Sequence, residues 1–263
     1  MSDSLSAPDT LLENKIALET ERDNRNRVVA SLPYKYGIHL NMLCNQSCIM
    51  CMPHGRHPKD TMPLEEFTRL FNQIKPYAEH LTLIGGEPLI YPWLEDVLDM
   101  IAPHKIAVTM NTNVTKLKPS ILEKLMTLHQ LNFKCSVHAP TEDLYWKIHG
   151  SKLFKTVQKN ITAFAEAARD LPHIRQIFVY VIMKENLSGV LPSIDFVKPL
   201  SPYRIEFHTV KNVHDWQVEN NTGWHFDGQK QSCEYIREDY NSIVKQAEER
   251  CEAEGISYEV SYV

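Results

Sequence analysis

The chain has 263 residues, 43% of them hydrophobic, and a formal net charge of −5. That is enough apolar content for one sizeable core, with no basic surplus to track a nucleic-acid backbone or an anionic membrane surface. No apolar run reaches the roughly 18 residues that span a bilayer, and the opening MSDSLSAPDTLLENK lacks a basic stretch followed by an apolar core, so a soluble, cytoplasmic protein is expected, without nucleic-acid or membrane partners.

Residues 1–34 read as a polar, exposed helical extension in which ETERDNRNR at 19–27 offers little to bury. From residue 36 short β-rich runs alternate with helical patterns or long connections: YGIHLNML, HLTLIGG, KIAVTMN, LNFKCSVH, RQIFVYVIM and YRIEFHTV. Among the intervening helices, MPLEEFTRLFNQI and YPWLEDVLDMI place a proline near the first turn, where its missing N–H costs little. In the second of these, Leu94, Val97, Leu98 and Ile101 share one face. KPSILEKLM repeats the pattern, and SGVLPSIDFV is the next helix, with Pro192 near its start.

Six such units over residues 35–212 predict an α/β fold, a partial (β/α)6 TIM-like barrel of parallel strands with outer helices; a doubly wound sheet fits the same alternation. Residues 213–263 then complete or flank the barrel. They comprise the end of the aromatic and polar loop KNVHDWQVENNTGWHFDGQ, which lines a substrate pocket or covers it as a polar lid, then a helix, then the strand-like ISYEVSYV. Active sites of parallel barrels gather at the C-terminal ends of the strands, which directs attention to the residues just after each apolar run.

After the first run comes LCNQSCIMC, residues 43–51, with cysteines at 44, 48 and 51. The chain has six cysteines and no secretion signal, so reduced thiols are expected rather than a disulfide framework. The spacing lets three thiolates converge on one small ion or cluster. Structural zinc takes four ligands, commonly from two separated pairs; no second pair occurs here, although His54 or His57 could supply a fourth ligand. A four-iron cubane usually takes four cysteines, and a set of three leaves one iron open to another ligand.

C-x3-C-x2-C after the first strand of a β/α series resembles the radical S-adenosylmethionine (SAM) superfamily, over roughly residues 35–212. The resemblance implies that Cys44, Cys48 and Cys51 hold a [4Fe-4S] cluster whose open iron chelates SAM, with Met50 packing near the adenine. Gly85, Gly86, Glu87 and Pro88 match the family's GGEP motif, which meets the SAM amino group. Physically, two glycines admit close approach of a ligand to the backbone, and a carboxylate suits an ammonium; as a β-to-α turn the same residues would be ordinary. Asn111 and Asn113, in Asn111-Thr112-Asn113, are similar to a polar stretch that touches the cofactor, although asparagines also cap loops. Ser136 stands where the family often bonds the SAM ribose or carboxylate.

YWKIHG at 145–150 is similar to a segment that commonly carries an arginine paired with the SAM carboxylate, and His149 stands in its place. A neutral imidazole is the weaker carboxylate partner, so His149 would serve partly protonated, or Lys147 or another cation would take over. Asn186, after the fifth strand, contacts the cofactor or caps the following helix.

Outside the loop, Cys233 and Cys251 fall on one helical face with Ile236, Tyr240, Ile243, Val244 and Ala247. At 1.5 Å per residue they sit about 27 Å apart, too far to share a cluster. They read as buried thiols, with Cys233 alternatively a hydrogen-atom donor to a substrate radical, the one catalytic candidate outside the cofactor contacts. Cys135 precedes Ser136 and so points to the opposite side of its strand, into the core.

The resemblance implies an enzyme that takes one electron from an external reductant such as flavodoxin or ferredoxin, cleaves SAM to a 5′-deoxyadenosyl radical, and abstracts hydrogen from a peptide or small-molecule substrate. Family members with a C-terminal extension hold auxiliary clusters there, for which this chain lacks the cysteines. A zinc-bound structural or interaction module, and a non-catalytic fragment of a longer radical SAM protein, are the rival readings.

Overall fold

The computed structural model describes residues 10–51, 60–210, 217–219 and 225–262. The chain opens with α1 (Leu11–Asp23), started by a capping box in which Thr10 and Glu13 exchange side-chain and backbone hydrogen bonds. Having little apolar surface, α1 is tied down by polar side chains. Asn14 exchanges two bonds of 2.7 Å with the Leu32 backbone, and Glu21 accepts from the Ala30 N–H at 2.7 Å.

The alternating segment continues as β1 (Lys35–Asn41), α2 (Leu64–Ile74), β2 (His80–Gly85), α3 (Leu94–Ile101), β3 (Ala107–Thr112), α4 (Pro119–Met126) and β4 (Gln130–Ser136). Next come α5 (Glu142–His149), α6 (Phe154–Ala168), β5 (Ile174–Ile182), α7 (Val190–Val197) and β6 (Arg204–Thr209). Pro63 caps α2 and Pro119 opens α4. Leu94, Val97, Leu98 and Ile101 are all buried on α3, the face that their spacing predicts. The run SGVLPSIDFV divides, because a 3-10 turn at Lys184–Gly189 precedes α7 and places Pro192 in the first helical turn, where a missing N–H is tolerated.

A short antiparallel pair, β7 (Gln217–Glu219) and β8 (His225–Asp227), leads into α8 (Gly228–Gln231), α9 (Arg237–Glu254) and β9 (Tyr258–Val260). β9 docks parallel to β6, so the main sheet has seven strands in the order β1-β2-β3-β4-β5-β6-β9, one more than the six expected. The strand-like ISYEVSYV supplies the addition: α9 carries the chain back along the sheet and returns it parallel to its neighbour.

Strand order matches chain order without the reversal that defines a doubly wound sheet. β1 and β9 are the edge strands of an open, partial barrel, and the end of β1 is covered by an antiparallel bridge between Asn41 and Thr61. Alternation sorts the side chains. On β4, Leu131, Phe133 and Cys135 are fully buried, with Phe133 stacked on Phe164 of α6 at 4.1 Å, whereas Asn132, Lys134 and Ser136 face the opposite, concave side.

Candidate active site

The cysteine loop is seated by the end of β2. An irregularity between His39 and Asn41 sets Asn41 opposite Gly85. Gly86 N–H then donates to Asn41 O at 2.8 Å and Glu87 N–H to Leu43 O at 2.7 Å. Gly85 holds φ +144°, and a Cβ there would meet Asn41 O at 2.0 Å; one on Gly86 would meet Leu43 O at the same distance. The close approach that demands glycine is therefore first of all that of the chain's own backbone leading into Cys44, rather than that of a ligand. Further along, Ser47 and Ile49 N–H groups donate to His149 O and Ile148 O at 3.1 and 3.0 Å, with Ile49 fully buried.

Cys44, Cys48 and Cys51 line one cleft of about 330 Å³, a size within the range of small-molecule sites. Burial pushes all three thiols up. Cys48 rises well above its ordinary value, with Cys51 and Cys44 adding to the effect, and Cys51 reaches about 11. Cys44 Sγ has two donors near it, Gln46 N–H at 3.4 Å and Asn113 Nδ2 at 3.7 Å; Cys48 Sγ lies 3.4 Å from His149 Nδ1 and 3.8 Å from the Gln46 Oε1 acceptor. The donors on Cys44 suit a thiolate, which a bound metal would hold deprotonated.

Among the described residues no three His, Cys, Asp or Glu side chains close in tightly enough to grip a single ion. His54 and His57 lie outside the described residues. Cys135, Cys233 and Cys251 are buried and none lines the cleft, so the thiol set there is three.

The same cleft is lined by Met50, by Gly85, Gly86 and Glu87 at the end of β2, by Asn111 and Asn113 at the end of β3, and by Ser136 at the end of β4. Glu87 is 1% exposed. Burial pushes its carboxyl up to about 7, although it accepts from the Thr112 hydroxyl at 2.5 Å, Asn113 N–H at 2.6 Å and Leu89 N–H at 2.9 Å. Those bonds lock β2 to β3, so Glu87 braces the cleft as well as lining it. A larger hollow of about 560 Å³ lies at the opposite ends of β5 and β6, among residues such as Ala165, Arg169 and Tyr203; it holds none of the candidate site residues.

His149 also lines the cleft, yet its ring is 1% exposed and stacked between Tyr145 at 4.1 Å and His138 at 5.0 Å. Burial, helped by His138, drives its pKa well down, so the partly protonated form that would pair with a carboxylate is disfavoured. Lys147 pairs with Glu185 and is not among the residues that line the cleft. Asn186 is fully buried and bonds both His138 O and Val181 O at 2.9 Å, tying the ends of β4 and β5 together.

Cys233 donates to Ile182 O at 3.1 Å from within the core, as a structural thiol does, and is not among the residues that line the cleft.

Three features escape sequence reasoning. Gln46 is 4% exposed and bonds the Tyr145 hydroxyl from within the cysteine loop. His138 lines the cleft and accepts from Val181 N–H at 3.1 Å. Deeper on the concave face, the 1% exposed carboxylate of Glu206 gathers Lys134 at 2.7 Å, Arg204 at 2.5 Å and His208 at 3.1 Å. Burial raises the Glu206 carboxyl, but these donors outweigh it and hold it at about 2. The run R-I-E-F-H carried a signal, since polar residues at every second position are unusual on a strand covered on both faces.

A family model described as the Radical SAM superfamily matches residues 40–197. The mycofactocin maturase MftC of Mycobacterium tuberculosis is 19% identical over 130 residues, 49% of this chain and 33% of its own length. The S-adenosylmethionine-dependent nucleotide dehydratase of Lacinutrix mariniflava is 27% identical over 124 residues, 44% of this chain and 26% of its own.

Among solved structures, Streptococcus suis SuiB bound to S-adenosylmethionine superposes with a TM-score of 0.72 at 18% identity, over 95% of this chain and 54% of SuiB. SuiB bound to the precursor peptide SuiA gives 0.73 at 18% identity, over 99% of this chain and 56% of SuiB. The matches thus span about a third or less of the curated relatives and about half of SuiB.

Proposed function

The chain belongs to the radical SAM superfamily, and from that premise we propose that it cleaves SAM reductively at a [4Fe-4S] cluster held by Cys44, Cys48 and Cys51. The observation that carries the reading is the meeting, in one cleft at the C-terminal ends of the strands, of the three thiols with Gly85–Glu87, Asn111, Asn113 and Ser136. Bound there, the two cofactors supply one-electron cleavage of the sulfonium to methionine and a 5′-deoxyadenosyl radical that takes hydrogen from the substrate, the electron coming from an external one-electron donor such as flavodoxin or ferredoxin.

The protein's part is to position and to exclude. Cys44, Cys48 and Cys51 supply three anionic sulfurs and leave one iron for SAM. Glu87, buried and raised by that burial, favours a cationic neighbour, which the SAM ammonium provides. Asn111, Asn113 and Ser136 offer hydrogen-bonding groups around the remaining polar edges of SAM, and Met50, packed against Ile49, Ile148 and Met183, gives the adenine an apolar surface. The half-enclosed cleft keeps water from a reactive radical. The maturases and the precursor-peptide complex among the relatives make a peptide the first substrate class to test, ahead of small metabolites.

The test is 5′-deoxyadenosine formation with SAM and dithionite after anaerobic iron–sulfide reconstitution, against the Cys44→Ala, Cys48→Ala, Cys51→Ala triple variant. Product that depends on the cysteines is expected. A brown, fully loaded protein that forms none would point to the non-catalytic reading, and a protein that takes up zinc but no iron to the structural one.

A further inference from the structure

Resting on that cluster reading, we propose that His149 acts on the cluster rather than on SAM: its Nδ1–H donates to the iron-bound Cys48 thiolate and raises the potential at which the cluster accepts an electron. The geometry assigns the proton. The backbone N–H of His138 points at His149 Nε2 from 3.1 Å, so Nε2 must present its lone pair, and a neutral ring then carries its hydrogen on Nδ1. Nδ1 faces two acceptors, Gln46 Oε1 at 3.2 Å and Cys48 Sγ at 3.4 Å. With Cys48 protonated, its S–H is directed to the same Gln46 oxygen at 3.8 Å. Once iron displaces that proton, the sulfur is an anion with nothing to donate, and it becomes the stronger of the two acceptors.

The donor cannot swing away. The ring is stacked on Tyr145 and His138 at interplanar angles of 15° and 12°, and the Tyr145 hydroxyl is bonded by Gln46, whose own oxygen is the second acceptor. With 1% of the residue exposed, water competes little, and a fixed N–H dipole acts at full strength. Reduction adds negative charge to the cluster, part of it on the sulfurs, so an N–H donor stabilises the reduced state more than the oxidised one. Both ring nitrogens are thereby occupied, and none is left for the SAM carboxylate. His149 is a positioning and tuning residue, not a catalytic one.

The test is the reduction potential of the reconstituted cluster, followed by EPR in the absence of SAM, for wild type, His149→Asn and His149→Leu. Asparagine places an amide N–H close to the Nδ1 position, and leucine has nearly the same shape without a donor. A downward shift in His149→Leu that His149→Asn largely restores is expected. Equal potentials in all three, or equal drops in both variants, would overturn the proposal, the latter because loss of the ring would then be the cause.

Should the variants fail to load, pulsed EPR on reduced wild-type protein carrying 15N-histidine decides. A weak histidine-nitrogen coupling supports the hydrogen bond; no coupling, or one as strong as an iron-bound nitrogen gives, refutes it. Wild-type protein that takes up no iron would instead overturn the cluster reading itself, and this inference with it.

Discussion

Gly86→Ala tests whether the end of β2 is a seat for the cysteine loop. A methyl group there would lie 2.0 Å from Leu43 O, 2.4 Å from Leu43 C and 2.9 Å from Met42 C, all backbone atoms. Non-bonded carbon contacts settle near 3.5 Å, so the segment must retreat by roughly 1 Å or more, and no side chain can rotate to absorb the shift. Two backbone hydrogen bonds join the same strands, Gly86 N–H to Asn41 O and Glu87 N–H to Leu43 O, each worth about 1 kcal/mol net.

With about 1–3 kcal/mol for overpacking, the expected loss is about 3–5 kcal/mol, read from urea unfolding of the metal-free chain at unchanged m. Leu43 directly precedes Cys44, so iron bound per chain after reconstitution should fall as well. Gly37→Ala is the control, since its Cβ would meet only Ile84 Cδ1 at an ordinary 3.9 Å, and a neutral or slightly stabilising change is expected. A Gly86→Ala protein that loses under about 1 kcal/mol and loads iron fully would show that the seat is not what holds the loop.

Glu206 sets an acid limit. Its carboxyl is held at about 2 against an ordinary 4.5, so its contribution, about 3 kcal/mol, is present above the ordinary value and lost as the pH falls toward 2; Glu206→Gln should lose that amount at neutral pH and show a flatter decline below about pH 5, and a parallel decline in both proteins would contradict the assignment. Phe133→Ala removes a fully buried ring stacked on Phe164 and should cost about 3–5 kcal/mol in urea unfolding; a cost below about 1 kcal/mol would mean that α6 does not pack on β4 through this ring pair. Cys233→Ala should cost about 1–2 kcal/mol and leave 5′-deoxyadenosine formation intact, whereas loss of substrate product at unchanged stability would restore the hydrogen-donor role.

What could be read ahead of the structure was whatever is local. The spacing of Cys44, Cys48 and Cys51, the pair Gly85-Gly86 and the apolar face of α3 are each contained in a few consecutive residues, and period-2 and period-3.6 patterns report them directly. The seventh strand was visible as a strand that completes or flanks the barrel, but its place beside β6 was not, because its pairing depends on where α9 returns the chain. Gln46 meets Tyr145 across 99 positions, and His149 meets Gln46 across 103; no window along the sequence contains both partners.

That difference explains why His149 is assigned to one partner by motif and faces another in the structure. Alignment to a family segment carries over a position, and with it the expectation that an arginine's task passes to whatever replaces it. A guanidinium reaches far and stays charged, so it can span a cleft to a carboxylate. An imidazole is short, and in this dry stack between two other rings its Nδ1 reaches only near neighbours, Gln46 Oε1 and the sulfur of Cys48. On the proposed reading, histidine at this position does not weaken one contact so much as exchange it for another: the hydrogen-bond donor would serve the cluster's ligand shell, and the SAM carboxylate would fall to the remaining polar groups of the cleft.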